Sequence, residues 1–388
     1  MDRAEAEPAN PAPGGVAPVA QRRIVVVAGM HRAGTSVVAR GLQALGVDLG
    51  DRLMAADQQM NARGFFEDVD IVKLDDALLE ALGANWKNLA LLDGVDWRSA
   101  EFTAARTEAR RLLEARLAQA GQFGFKDPRV PRVLPFWQSL FAELGAADAY
   151  VIAVRHPLSV IASLTARDGL DVRRSGWLWL THLVCALRYT AGRPRVVVDY
   201  DNLLAAPERE LARMVKGLGL PAAALTGADV TTYAREFLSG ELRHAEHTAA
   251  DLDAADAPSL VRDTHALAQR LAGDEADAGS AATTAEVDAL FGRLAALSAL
   301  LAYAGSTERA ADEVPRLEGE LAWTRASLAA STAYVADVKD ALRIAQEYNE
   351  NLLAVLRRKE DELVAAHAKL ARIGERILGR IVLRRIER

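Results

Sequence analysis

Ile24-Val-Val-Val-Ala-Gly-Met-His-Arg-Ala-Gly-Thr-Ser36 decides how this chain is read, and Val37-Val-Ala-Arg-Gly-Leu-Gln-Ala-Leu45 continues it. The run of β-formers from Ile24 predicts a buried strand. Gly29 and Gly34 bound a short loop. Thr35 and Ser36 open a helix, because apolar residues recur after them at helical spacing. Strand, glycine loop and helix together form an anion cradle. Backbone N–H groups converge at the helix N-terminus, and the helix dipole favours negative charge there. The expected fold class is α/β, a three-layer domain of the P-loop type around a central parallel sheet.

A nucleoside-triphosphate loop would read G-x-x-x-x-G-K-[ST]. Here Thr35 holds the lysine position, and the nearest cation is Arg32, inside the loop. The usual clamp on a γ-phosphate is therefore missing. A cation within the loop, then glycine and two hydroxyls, suits a smaller end group such as a 5′-phosphosulfate.

With Gly29-Met-His-Arg-Ala-Gly-Thr-Ser36 on the page, the loop resembles the 5′-phosphosulfate loop of the sulfotransferases, especially bacterial carbohydrate sulfotransferases. The resemblance implies that Arg32 contacts the sulfuryl group and bridging oxygen. It implies that Ala33, Gly34, Thr35 and Ser36 hold the 5′-phosphate. The donor would be 3′-phosphoadenosine-5′-phosphosulfate, with no metal expected.

Three further motifs follow in order. Asn61-Ala-Arg-Gly-Phe-Phe-Glu67 is similar to a family segment whose glutamate is the general base. A base is needed because a sugar hydroxyl is a poor nucleophile until its proton has an acceptor. Glu67 is the first choice, and neighbouring Asp68 would serve the same chemistry. Lys126-Asp-Pro-Arg129 ends a short strand, Gly121 to Phe125, at the sheet edge where ligands sit. By resemblance, Lys126 and Arg129 stabilise sulfuryl oxygens or orient substrate, and Asp127 holds one of those cations. Arg155 ends the strand Ala149–Val154, and Ser163 stands eight residues later in a helix that Pro157 starts. That pair resembles the family's 3′-phosphate site, with Arg155 offering a planar, permanently charged fork.

Other stretches are read more plainly. Residues 69–92 and 101–120 are expected helices, and Arg195–Tyr200 is another strand. Tyr200, in Val198-Asp-Tyr-Asp-Asn-Leu203, is read as structural first and site-lining second. Trp177 and Trp179 are expected core aromatics, and Cys185 inert core filler. Arg243 and His244 fall in a late basic segment that, by resemblance, covers the donor. His244-x-x-His247 lacks a third convergent ligand and makes a poor metal site. Ala249 to Ser280 is rich in Ala, Asp and Glu, with one helical stretch near Leu260–Leu271, and is expected to be a surface excursion.

Composition sets outer bounds. The chain has 388 residues and a net charge of −6. The sequence pI is about 5.8, which argues against a dedicated nucleic-acid binder. A single cysteine forms no internal disulfide and fits a reducing, cytoplasmic setting. No long apolar run marks a transmembrane span. Residues 1–20, rich in Pro and Ala, are expected to be a disordered leader.

The domain is expected to span residues 21–305. Beyond it, Leu321, Leu328, Val335, Leu342, Asn349, Leu356, Leu363 and Leu370 recur every seven residues. Thr324, Ser331, Val338, Ala345, Leu352, Lys359, Ala366 and Ile373 lie three positions on. The expectation is a coiled coil over 313–373 and a homo-oligomer, with a helix packed back on the domain as the alternative. Residues 374–388 are basic and amphipathic, suited either to an anionic membrane surface, at the inner face, or to a partner.

The resemblance spans roughly residues 22–245. It implies sulfuryl transfer to an acceptor hydroxyl on a carbohydrate, with Glu67, Arg32 and Lys126 as the catalytic group. Two rivals stay open: a nucleoside-triphosphate-dependent kinase on the same fold, and a non-catalytic, nucleotide-sensing coiled-coil scaffold.

Overall fold

The computed structural model describes residues 22–56, 64–238 and 247–386, with backbone alone at 304–313 and 377–386. The expected leader, Asn61, Arg243 and His244 lie outside the described residues. So do the side chains of most of the basic tail.

The elements run β1 (Arg23–Ala28), α1 (Thr35–Ala44), α2 (Val69–Ala81), α3 (Thr103–Ala120), β2 (Gln122–Lys126) and α4 (Val130–Glu143). Then come β3 (Ala147–Val154), α5 (Pro157–Asp168), α6 (Val172–Tyr189), β4 (Arg195–Asp199), α7 (Tyr200–Ala205) and α8 (Pro207–Leu218). The chain finishes with α9 (Ala228–Thr232), α10 (Ala249–Ala254), α11 (Ser259–Ala272), α12 (Ala281–Ala295) and α13 (Ser298–Ile386).

The four strands form one parallel sheet in the order β2-β1-β3-β4. Residues of β1 are buried on both faces, as expected for a central parallel strand. Val25 and Val27 pack with Val38 and Leu42 of α1 and Leu211 and Met214 of α8. Ile24 and Val26 face the other way, toward Leu134, Trp137 and Phe141 of α4. Ala28, Ile152 and Val154 on that second face meet α6 and α11. The sheet is thus the middle of three layers.

The strand order creates a break that matters for the site. From β1 the chain moves to β2 on one side; it later crosses to β3 on the other. Helix α1, following β1, packs on one face, while α6, following β3, packs on the opposite face. The loops after β1 and β3 therefore diverge and leave a crevice above the carboxyl ends of two neighbouring strands.

Two expectations need correcting. Residues 249–280 are not a surface excursion: α11 buries Leu260, Val261, Leu267, Ala268 and Leu271 in the core beside β4. The helical stretch expected near Leu260–Leu271 is present as Ser259–Ala272, with its apolar residues on one face and its single acid, Asp263, paired with Arg293 at the surface. The helix expected over 69–92 stops at Ala81, where Leu82 caps it and Gly83 adopts φ 60°. Trp179 is buried as a core aromatic, whereas Trp177 is half-buried. Cys185 is buried, and burial pushes its thiol up to about 12, which makes it inert.

The chain divides into two compact units, one ending at Thr307 and the other starting at Glu308. Helix α13, most of which lies in the second, continues through Pro315. Among the described residues, no helix is long and apolar enough to cross a membrane.

Candidate active site

All four parallel strands deliver residues to one end of the sheet. Lys126 ends β2, the glycine loop follows β1, Arg155 follows β3 and Tyr200 follows β4. They line a single cleft of 560 Å³ together with Glu67, Trp86, Arg129, Arg167, Asp168 and Phe237. Five cationic side chains (Arg32, Lys126, Arg129, Arg155, Arg167) face two carboxylates, Glu67 and Asp168. The cleft thus carries excess positive charge inside a chain that is acidic overall.

The loop is shaped by close backbone approach. A Cβ on Gly29 would stand 2.7 Å from the Ala153 carbonyl oxygen, so the loop lies directly against β3. Gly34 has φ 86°, and a Cβ there would stand 2.4 Å from the Tyr200 ring. Arg32 also adopts a left-handed φ of 68°, an uncommon conformation for a residue with a side chain. Gly34 is the N-cap of α1, with no side-chain cap and no acid in the first turn. The first N–H groups of α1 are thereby left to face an anion.

Glu67 is brought to this helix by the segment before α2. Ser36 donates to the Phe65 carbonyl at 3.1 Å, and Lys126 Nζ donates to the same carbonyl at 3.1 Å. Lys126 also reaches Ser36 Oγ at 3.3 Å and forms a buried ion pair with Glu67. Burial raises the Glu67 pKa above the ordinary carboxylate value, and Lys126 opposes that rise. Asp68, the alternative base, is engaged elsewhere. It caps α2 through Asp70 N–H at 2.9 Å and pairs with Arg116 at 2.7 Å. Glu67, not Asp68, lines the cleft.

Arg155 lies with its guanidinium carbon 4.4 Å from the centre of the Tyr200 ring. That is a cation–π distance, and both residues line the cleft. Trp179 Nε1 anchors the backbone by donating to the Arg155 carbonyl at 3.0 Å. Among the described residues, the buried Nε of Arg155 has no hydrogen-bond partner. Ser163, expected to share a 3′-phosphate with Arg155, accepts from Arg32 Nε at 2.7 Å, which leaves its own hydroxyl hydrogen to donate. Ser163 thus also braces the loop arginine. Burial first, then the charges of Arg167 and Arg155, lower the Arg32 pKa. An anion bound between these guanidiniums would relieve that repulsion.

Asp127 and Arg129 form an ion pair at 3.0 Å, and Arg129 also meets Asp76 at 2.6 Å. Asp127 therefore holds Arg129 at the cleft wall. His156, next to Arg155, is a helix cap: its Nδ1 accepts from Leu158 N–H at 3.3 Å, while Nε2 donates to the Thr248 carbonyl at 3.0 Å. Among the described residues, no group of three or more His, Cys, Asp or Glu is arranged to hold a metal ion.

Sequence reasoning gave no role to Trp86, His31 or Phe237, which all line the cleft. Trp86 sits in the loop after α2, with no motif around it. Buried Arg132 of α4 pins that loop by donating to the carbonyls of Asn85 at 3.2 Å and Ala90 at 2.6 Å. Arg174 donates to the Lys87 carbonyl at 3.0 Å. The Trp86 ring lies 4.4 Å from the His31 ring. Burial and the charges of Arg129 and Arg167 push the His31 pKa well below its ordinary value, so this imidazole is neutral. His31 stood inside the quoted loop and was the one of the three with a legible signal.

No family model matches the chain, and no curated protein matches it significantly. Among solved structures, the chain is similar to the sulfotransferase domain from the Synechococcus PCC 7002 olefin synthase. The two share 19% identity, with 63% of this chain and 94% of that one covered, at a TM-score of 0.34. At that score the likeness carries no argument about this chain.

Proposed function

We propose that this protein is a sulfotransferase. It would move a sulfuryl group from 3′-phosphoadenosine-5′-phosphosulfate to a hydroxyl of a carbohydrate acceptor. The observation that carries the reading is the meeting, in one cleft, of the glycine loop after β1 and Arg155 after β3. One cradle suits a 5′-phosphosulfate, and the other offers a buried, incompletely bonded guanidinium to a 3′-phosphate. Thr35 in place of a loop lysine counts against a triphosphate clamp.

In this reading the acceptor oxygen forms the new bond to sulfur while the bond from sulfur to the bridging oxygen breaks. Adenosine 3′,5′-bisphosphate leaves. Glu67, with its raised pKa, takes the hydroxyl proton. Lys126 and Arg32 neutralise charge on the sulfuryl and bridging oxygens, as cations do in phosphoryl transfer. Gly34, Thr35 and Ser36 hold the 5′-phosphate. The Trp86 ring, which lines the same cleft, offers a flat face for a sugar ring.

Calorimetry with adenosine 3′,5′-bisphosphate, run beside ATP with magnesium, tests this. The bisphosphate should bind at least about tenfold tighter, as expected when one charge-assisted phosphate contact is added. Tighter ATP binding would replace the proposal with a kinase. Bisphosphate binding without turnover on a broad glycan panel would leave a nucleotide sensor.

A further inference from the structure

We propose that α13 pairs with a second copy of this chain as a parallel, in-register, two-stranded coiled coil over Val314–Ile373. Leu321, Leu328, Val335, Leu342, Leu356, Leu363 and Leu370 are between 49% and 66% exposed along one stripe. Val314 and Leu317 extend the stripe at its start, and Val338, Leu352 and Ile373 flank it, all exposed. The stretch is about 90 Å long at 1.5 Å per residue.

Local interactions do not account for a helix of this length. The ion pairs Arg316–Glu320, Arg343–Glu347 and Lys359–Glu362 contribute only about 0.2–0.5 kcal/mol each. Helices draw most of their stability from burying an apolar face, and this one has its face in solvent. A second copy is self-complementary to it. Seven-residue spacing keeps a stripe facing the partner only when the two helices supercoil.

Orientation follows from the polar residues. In a parallel pair each seam residue meets its own copy, so Asn349 opposes Asn349, a device that sets register and strand number. Glu320 then flanks Arg325 of the other copy, opposite charges at the rim positions. An antiparallel pair that overlaps the whole stripe would set Asn349 against Ala345 and Val335 against Lys359. That arrangement buries each polar seam residue against an apolar one, with no partner for its side chain. Parallel pairing covers the stripe with Asn349 on Asn349, and Lys359 can extend its ammonium past the seam to water.

The test uses the full chain. Light scattering at micromolar concentration should give twice the 41.8 kDa chain mass. Leu342→Cys, mildly oxidised, should form a disulfide-linked dimer on a non-reducing gel. Arg343→Cys, pointing off the seam, should not. Cys185 is buried and stays out of the reaction. Leu342→Asp with Leu356→Asp should return the mass to one chain, with α-helical content read alongside by circular dichroism. A single-chain mass for the unaltered protein overturns the proposal, whether or not another partner or a membrane binds. So does a trimer or larger assembly, or a dimer whose Leu342→Cys variant does not cross-link.

Discussion

At the scale of single residues, charge placement decides the chemistry. Arg155→Ala should weaken adenosine 3′,5′-bisphosphate binding by roughly 10- to 100-fold, the value of a charge-assisted contact. Adenosine 5′-phosphate should be little affected, and calorimetry with both ligands separates the cases; equal losses would remove Arg155 from the 3′-phosphate. Glu67→Gln should keep bisphosphate affinity and lower turnover by roughly 10²- to 10⁴-fold. Because the Glu67 pKa is raised, unaltered turnover should climb with pH through that value as the carboxylate ionises. A flat profile would move the base elsewhere. Buried Asp75 gives a stability test. Its Oδ1 accepts from Trp137 Nε1 at 2.7 Å, and burial holds its pKa well above 3.8. The folded state therefore binds this proton more tightly than the unfolded chain does. Its contribution is complete below 3.8 and is lost as pH rises through the raised folded value. Asp75→Asn keeps the acceptor but cannot ionise, so melting temperature against pH should flatten above 3.8; an unchanged slope would count against it.

At the scale of elements, the glycine loop and α11 make the contrast. Gly34→Ala must hold a side chain at φ 86° against the Tyr200 ring. It should destabilise by roughly 1–3 kcal/mol and weaken anion binding, read by denaturant midpoint and calorimetry; an unshifted midpoint would mean the loop tolerates another shape. The loop was legible because its glycines, cation and hydroxyls follow a strand in fixed order. The helical period of α11 was legible too, but its burial was not. The acids and alanines of the segment around it suggested a surface, yet Leu271 is buried beside β4. Leu271→Ala should cost roughly 2–5 kcal/mol in chemical denaturation; a loss below 1 kcal/mol would return the segment to the surface. Trp86 was illegible for a different reason. A loop aromatic has no period, and its position depends on Arg132 and Arg174, distant in sequence.

At the scale of the whole molecule, the site and the long helix rest on separate residues. Every buried core residue lies at or before Leu301 among the described residues, and every cleft residue lies at or before Phe237. A chain ending at Thr307 should therefore bind adenosine 3′,5′-bisphosphate within about threefold of the full chain, or roughly 0.6 kcal/mol. A larger loss would mean that the long helix supports the cleft.

Order along the chain was enough to establish a buried strand, a phosphate-type loop, cations at later strand ends and a seven-residue apolar repeat. These are local: each arises from neighbours within one or two turns of helix or one strand, where period and turn chemistry are readable. That Ser163 accepts from Arg32, and that Glu67 rather than Asp68 faces the cleft, depended on side chains that meet across long sequence separations. Only the tertiary structure decided those pairings. The strand order β2-β1-β3-β4 and the opposed faces of α1 and α6 set them, and no local period encodes either.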